Sequence, residues 1–365
     1  LILIQWVQYN GISFLPAGCS GNDPTEIILA FADRAGWQVF VGLAMDDGWW
    51  NQSTDADYLN RTADAVGQVA DEVWRRYGAH PSFAGWYLPQ ETWDGDYTDS
   101  QTTALRAFFR KLSDRCKRLS GDKPVAFSPF FSGQSTPAAM QAFYQKLLEG
   151  AGLDILMLQD GVGARGWDAE VAARVVPYFR AVGSACLKAG VAFWSDLESF
   201  RLASADPLQF APAEIGRLCQ QLVAEAPFVQ HIVTFDFFHY LSPYRGAAQK
   251  QLHDDYVAKC VERRFLPTFG RSVEVDPQFG YYLNRSPASI ASEIRANGYA
   301  IVRYILTADS AVRPELIAAF QREGLGVWHA TFANGTYNTN DLPPGWTEWR
   351  MATRRDLEGH PLEDG

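Results

Sequence analysis

Through residues 1–264, short apolar runs alternate with stretches of helical spacing, and this alternation constrains the fold more than any other feature. Residues 1–8, 38–45, 83–88, 125–131, 154–159, 191–197 and 230–237 read as strands. Between and after them, 24–36, 56–78, 99–119, 136–151, 169–190, 212–226 and 245–264 read as helices. In 56–78 the residues Leu59, Ala63, Val66, Val69 and Val73 fall on one face. In 99–119 the stripe is Leu105, Phe108, Phe109, Leu112 and Cys116. Asp23 precedes Pro24, with Glu26 three residues on, which is the pattern of an N-cap with a capping box. Gly190 is placed to end the helix before it.

Strands that alternate with helices imply a parallel sheet. Seven such units, opening inside a strand at Leu1, predict an α/β fold: a (β/α)8 TIM barrel truncated at its N-terminus, lacking the first strand and helix. An open doubly wound sheet would want a G-x-G-x-x-G turn after its first strand, and the chain has none. The predicted barrel domain covers 1–265, and 266–278 reads as a linker. Over 279–365, strands at 279–283, 300–306 and 326–332 alternate with helices at 286–297 and 313–324. About 90 residues cannot close a barrel. This part reads as a small α/β appendage or the opening of a second barrel. No signal peptide is visible, and a truncated N-terminus leaves the compartment open.

Composition removes several functions. The net charge of -10 offers no surface for phosphate backbones, and the doublets Arg75-Arg76, Arg263-Arg264 and Arg354-Arg355 are too short to change that. Nucleic acid is excluded as a partner. No apolar run reaches about 18 residues, so no membrane span is expected. The five cysteines are scattered and unpaired by motif. With six histidines and no H-x-H, neither a metal nor a cofactor is implied.

In an α/β barrel the chemistry sits past the C-terminal ends of the strands. Those ends carry Tyr9 and Asn10; Asp46, Asp47, Trp49 and Trp50; Pro89, Glu91 and Trp93; Ser128 and Ser132; Gln159 and Asp160; Asp196 and Glu198; Asp236 and His239. Side chains alternate along a strand, so Tyr87, Pro89 and Glu91 share one parity and Trp194, Asp196 and Glu198 another. If both parities point inward, two glutamates face each other. Two carboxylates among aromatic walls suit glycoside hydrolysis, in which one protonates the leaving oxygen and the other attacks or activates water. The acid needs a raised pKa, which apolar neighbours such as Trp86 and Trp93 can supply. Glu91 is then the acid/base and Glu198 the nucleophile. Tyr9, Asp47, Trp49, Trp50, Trp93, Ser128, Gln159, Asp160, Asp196, Asp236 and His239 are the candidate sugar contacts. Trp49 and Trp50 are the platform candidates, one of them belonging to the core. Each carboxylate also has a plainer role open to it, as a helix cap, an ion-pair partner or a turn residue.

Taken together, "LILIQWVQYNG", "VFVGLAMDDGWW", "HPSFAGWYLPQE", "KPVAFSPFFSG", "DILMLQDGVG", "FWSDLESF" and "IVTFDFFHYLSP" resemble a bacterial family, domain of unknown function 4434, regarded as glycoside-hydrolase-like TIM barrels. The resemblance covers residues 1–262. Its members begin with a further strand and helix. It implies the clan of retaining glycosidases, with an acid/base on the fourth barrel strand and a nucleophile on the seventh, carried here by Glu91 and Glu198. That clan commonly has Asn before the acid/base, and Gln90 stands here instead. The expectation is a carbohydrate-cleaving enzyme that needs no cofactor. A non-catalytic carbohydrate-binding barrel and a metal-dependent barrel hydrolase are the alternatives.

Overall fold

The computed structural model describes residues 1–16, 23–262, 271–275, 282, 285–297, 299–306 and 313–331. The chain forms two compact units, one of residues 1–213 with 232–250, the other of 214–231 with the residues from 251 on. Residues 214–231 and 251–262 group with the C-terminal part of the chain.

In the first unit a seven-stranded sheet runs in chain order: β1 (Ile2–Ile4), β2 (Val39–Gly42), β3 (Phe83–Leu88), β4 (Val125–Phe127), β5 (Ile155–Gln159), β6 (Ala192–Glu198) and β7 (Ile232–Phe235). Every pairing in it is parallel. Helices α1 (Pro24–Ala35), α2 (Ala56–Tyr77), α3 (Asp99–Ser120), α4 (Pro137–Leu148) and α5 (Val171–Ala189) fill the crossovers, where parallel strands require them.

The sheet curls, because Leu3 on β1 and Val233 on β7 pack against one cluster of Phe40, Tyr87, Ala126, Ile155 and Met157. Trp194 joins that cluster and meets Phe40 edge-on at 6.0 Å. Tyr87 and Trp194 thus point inward, and Trp194 fixes the parity of Asp196 and Glu198 on β6. Trp86 has the opposite parity. It packs on Trp74 and Phe83 and donates its indole N–H to Ser120, on the helix side. It is no wall for Glu91.

Local sequence explains the helix ends. The Asp23 side chain accepts from Glu26 N at 3.0 Å, while the Glu26 carboxylate turns to His80 and leaves the capping box unclosed. Thr98 and Gln101 close a capping box at the start of α3. Gly190 ends α5 at φ 71, a left-handed conformation that glycine adopts without strain.

Several short elements differ from the sequence expectation, among them a helical turn at Trp49–Gln52 and a small sheet of Gln8–Tyr9, Ile12–Ser13 and Ala44–Met45. Phe200–Ala205 and Leu208–Pro212 form an antiparallel hairpin directly after β6, so the next helix runs Ile215–Glu225 instead of starting at Pro212. A single helical turn, Val162–Arg165, comes after β5.

In the second unit Arg271–Val275, Tyr299–Leu306 and Gly326–Thr331 form a parallel three-stranded sheet. Residues 271–275 are therefore a strand and not linker. Helices Pro287–Ala296 and Pro314–Arg322 pack on it through Ile290, Ile294, Leu316 and Phe320 against Val275, Val302 and Tyr304. The strand expected at 279–283 lies, Tyr282 apart, outside the described residues.

Candidate active site

Past Leu88 the chain leaves β3 and runs as loop through Pro89, Gln90 and Glu91. Gln90 is buried and donates to the Ala44 carbonyl oxygen at 2.6 Å, tying this loop to the end of β2. The buried Trp49 donates its indole N–H to the Glu91 carbonyl oxygen at 2.7 Å. Phe130 N donates to the Thr92 carbonyl oxygen at 3.0 Å, tying the loop to the end of β4. Glu91 is thus held at its backbone from both neighbouring strands.

The Glu91 side chain enters a compact polar group. The Gln159 amide lies near enough to act on its carboxyl, and that amide donates to the Ser128 carbonyl oxygen at 3.0 Å. Ser128 Oγ donates to Asp196 Oδ2 at 2.7 Å, with both residues buried. Burial, and then the charges of Glu91 and Asp196, push the neighbouring Tyr87 hydroxyl well up. Strand register contributes, since Gln159 on β5 lies opposite Asp196 on β6.

Desolvation pushes the Glu91 carboxyl up to about 8, helped by the charge of Asp196 and opposed by the Gln159 bond. Desolvation likewise pushes Asp196 up to about 7, against the Ser128 bond, with Asp160 and Asp236 adding like charge. Apolar surroundings and neighbouring carboxylates are what raise a carboxyl pKa in a cleft.

Glu198 closes β6 and is almost fully buried, its Oε2 accepting Ala164 N–H at 2.6 Å. That donor belongs to the helical turn after β5. Tyr240 lies close enough to Glu198 and Asp236 for burial and their charges together to raise its pKa. Its ring packs on Phe200 at 4.9 Å. A cis peptide joins Phe235 to Asp236 at the end of β7.

Other expected residues take different stations. Asp160 is fully buried and its Oδ1 accepts Val162 N–H at 3.0 Å, starting the same helical turn. Asp236 accepts from His239 N at 2.6 Å and bonds its Nδ1 at 2.7 Å, leaving the ring half exposed. Asp47 is exposed, and both its oxygens are bonded, one by Tyr9 Oη at 2.5 Å and one by Asn10 Nδ2 at 2.7 Å. Trp49 does not wall the opening, because it is buried against Phe108 at 5.4 Å. Trp50 is 43% exposed and faces Phe130 at 6.3 Å, and Trp93 lies nearly parallel to Phe130 at 6.1 Å. Sequence reasoning did not count Tyr87, Phe130 and Tyr240 among the site residues. Each places an aromatic ring at a strand end or in the loop beyond it, which is the signal that could have found them.

Among the described residues, no group of three or more His, Cys, Asp or Glu side chains is arranged to hold a metal ion, and no helix is long and apolar enough to cross a membrane.

The family model for a domain of unknown function, DUF4434, matches residues 1–247. No curated protein matches the chain. Among solved structures, a protein of Bacteroides thetaiotaomicron VPI-5482, provisionally described as an alpha-L-fucosidase, aligns with a TM-score of 0.57 at 23% identity, over 70% of this chain and 82% of its own. The endo-1,4-beta-D-mannanase of Thermotoga petrophila RKU-1 aligns with a TM-score of 0.45 at 14% identity, over 63% of this chain and 74% of its own. The beta-galactosidase of Rahnella sp. R3 gives 0.46 at 12%, over 86% and 63%. The first of these likenesses shows a shared fold.

Proposed function

The chain belongs to the DUF4434 family, and on that footing we propose that it is a glycoside hydrolase of the TIM-barrel kind, acting on a carbohydrate with retention, with Glu91 as acid/base and Glu198 as nucleophile. The observation that carries this is the placement of Glu91, held just past β3 by the Trp49 indole, while Asp196 and Glu198 close β6. A carboxyl raised to about 8 holds its proton at neutral pH, as a general acid must. It sits just past a strand end beside partly exposed Trp93 and Phe130, with its backbone carbonyl held by the Trp49 indole. In turnover Glu91 would give its proton to the glycosidic oxygen while Glu198 attacks the anomeric carbon. Glu91, now ionised, would then take a proton from the water that releases the sugar. The Ala164 N–H fixes one oxygen of Glu198 for that attack. Tyr9, Asp47, Trp50, Trp93, Gln159, Asp196, Asp236 and His239 are proposed as the surrounding sugar contacts, while the buried Ser128 and Asp160 hold Asp196 and the 162–165 turn in place. Trp49 supports Glu91 from beneath.

One observation favours a second assignment of the nucleophile. Asp196 is the carboxyl whose charge acts on Glu91, and it reaches the same group through Ser128. The experiment is a panel of aryl glycosides and soluble polysaccharides run with the parent chain and with Glu91→Gln, Glu198→Gln and Asp196→Asn. Product anomers are followed by NMR. Retention, with turnover lost in Glu91→Gln and Glu198→Gln, supports the proposal. Loss in Asp196→Asn with Glu198→Gln still active moves the nucleophile to Asp196. Full activity in Glu91→Gln, or no turnover of any glycoside, sinks the hydrolase reading in favour of a sugar-binding barrel.

A further inference from the structure

The loop that carries Glu91 has a second concavity on its far side. Beyond Trp93, a cavity of about 250 Å³ opens between the 94–97 turn, the first turn of α3 and the outer face of α4. It is preformed. Asp94 is buried, and its carboxylate accepts from Ser132 N at 2.7 Å, Ser132 Oγ at 2.8 Å and Ser135 N at 3.2 Å, locking the turn to the loop after β4. On its wall Tyr97 and Phe143 stack at 4.6 Å and 12°. On its rim Asp99 and Lys146 pair at 2.7 Å, both largely exposed.

A run of rings joins this cavity to the site around Glu91. Trp50 meets Phe130 at 6.3 Å, Phe130 meets Trp93 at 6.1 Å, and Trp93 meets Tyr97 at 5.4 Å. All of these rings keep some exposed surface. Partly exposed rings set one after another suit a ligand with apolar faces and hydroxyl edges. The volume is below the roughly 300 Å³ at which pockets for drug-sized ligands begin, so it fits one small unit and not a whole chain. Lys146 offers donors and Asp99 acceptors for hydroxyls at the rim.

We propose that this cavity is a leaving-group subsite for a saccharide unit, and that the substrate is therefore a chain that continues past the cleaved bond over Trp93 to Tyr97 and Phe143. The proposal rests on the hydrolase reading. The proton donor acts on the leaving-group oxygen, so the leaving group lies on the donor's side, and Trp93 and Tyr97 come after Glu91 in the same loop.

The test uses Tyr97→Ala and Ala142→Trp. Ala142 is exposed on the cavity lining, and a tryptophan there would fill the space without removing a contact. Tyr97→Phe keeps the stack and controls for folding, checked by thermal unfolding. The probes are aryl glycosides, which carry no saccharide unit past the cleaved bond, and oligosaccharides of increasing length. The expected result is a fall of about tenfold in kcat/KM for the longer oligosaccharides, about 1.4 kcal/mol in binding terms, with aryl glycosides unchanged and Tyr97→Phe near the parent. Equal losses on both substrate types, or no loss on either, overturn the proposal. If the parent chain turns over no glycoside, the hydrolase reading has failed, and the cavity is judged by electrophoresis in gels containing soluble mannan, galactan or glucan. Retardation abolished by Ala142→Trp keeps the site, and unretarded migration in all three removes it.

Discussion

The indole N–H of Trp49 donates to the carbonyl oxygen of Glu91 at 2.7 Å. A residue of the helical turn that follows β2 thereby fixes the backbone of the loop that follows β3. Trp49 is buried, so it holds Glu91 without meeting a substrate. Trp49→Phe removes the donor and leaves the Glu91 carbonyl to find another. The expected cost is about 1–3 kcal/mol for the unsatisfied group, with a further loss for the smaller ring. Turnover should fall with KM little changed, because the acid is misplaced while the sugar contacts stay. A drop in thermal stability with kcat intact would show that the bond serves folding alone.

Glu91 sets a pH signature of two kinds. As the acid, it must be protonated, so kcat/KM should fall as pH rises through about 8. Stability depends on the same proton. The folded chain holds it up to about 8, while the unfolded chain releases it near the ordinary value of 4.5. Between those two values the folded state binds more protons, so its stability declines as pH rises. Glu91→Gln carries no such proton. The melting temperature of the variant should therefore gain on the parent between pH 4.5 and 8 and stay level above that. A gap that stays constant across this range would show that Glu91 has an ordinary pKa.

Much of this site was legible in the sequence, and the reason is periodicity. The apolar runs and helical stripes give the sheet order, and alternation along a strand puts Asp196 and Glu198 on the inner face once Trp194 is inside, whereas Glu91 lies in the loop past β3. What the sequence hid depends on register and on short elements. Ser128 and Asp196 are 68 residues apart and meet across strand ends. Four residues, Val162–Arg165, are too few to show a helical period, yet they supply the N–H that Glu198 accepts. The hairpin at 200–212 does alternate in exposure along Phe200–Ala205, but its second strand ends at Pro212, which reads equally well as the first turn of a helix. Trp86 and Trp93 look alike as neighbours of Glu91, and only parity separates the one in the helix layer from the one in the loop.

Gly163 gives a test of that short turn. A Cβ there would sit 2.1 Å from the Phe200 carbonyl oxygen, a backbone atom that cannot swing away. Gly163→Ala must push Val162–Arg165 off the start of the hairpin and draw the Ala164 N–H from Glu198. Overpacking of this kind costs about 1–3 kcal/mol. Activity should fall more than stability explains, since Phe200 also supports Tyr240. Gly216, in a helix with nothing within 4 Å of its would-be Cβ, is the control, and Gly216→Ala should be neutral or stabilising. If Gly163→Ala melts and turns over as the parent does, the close approach is not a constraint.

His80 offers a pH test remote from the strand ends. Its Nδ1 lies 2.6 Å from Asp33 Oδ2 and its Nε2 3.0 Å from Glu26 Oε2. Burial disfavours the charged ring, but the bonds and charges of Asp33 and Glu26 outweigh it and raise the His80 pKa above 6.5. Asp33 is in turn lowered to about 2, by Ser82 first and His80 second. A raised histidine stabilises the folded state most where both states are protonated, below 6.5, and loses that contribution as pH rises through its folded value. The Asp33 contribution is complete above 3.8 and falls away only as pH drops toward 2. From pH 5.5 to 8.5, then, only the histidine side of the pair changes. The parent chain should exceed His80→Gln in urea midpoint by more at pH 5.5 than at pH 8.5. An equal gap at the two values, or a larger one at pH 8.5, would mean that the ring is neutral in the folded chain and that the two carboxylates are held by hydrogen bonds alone.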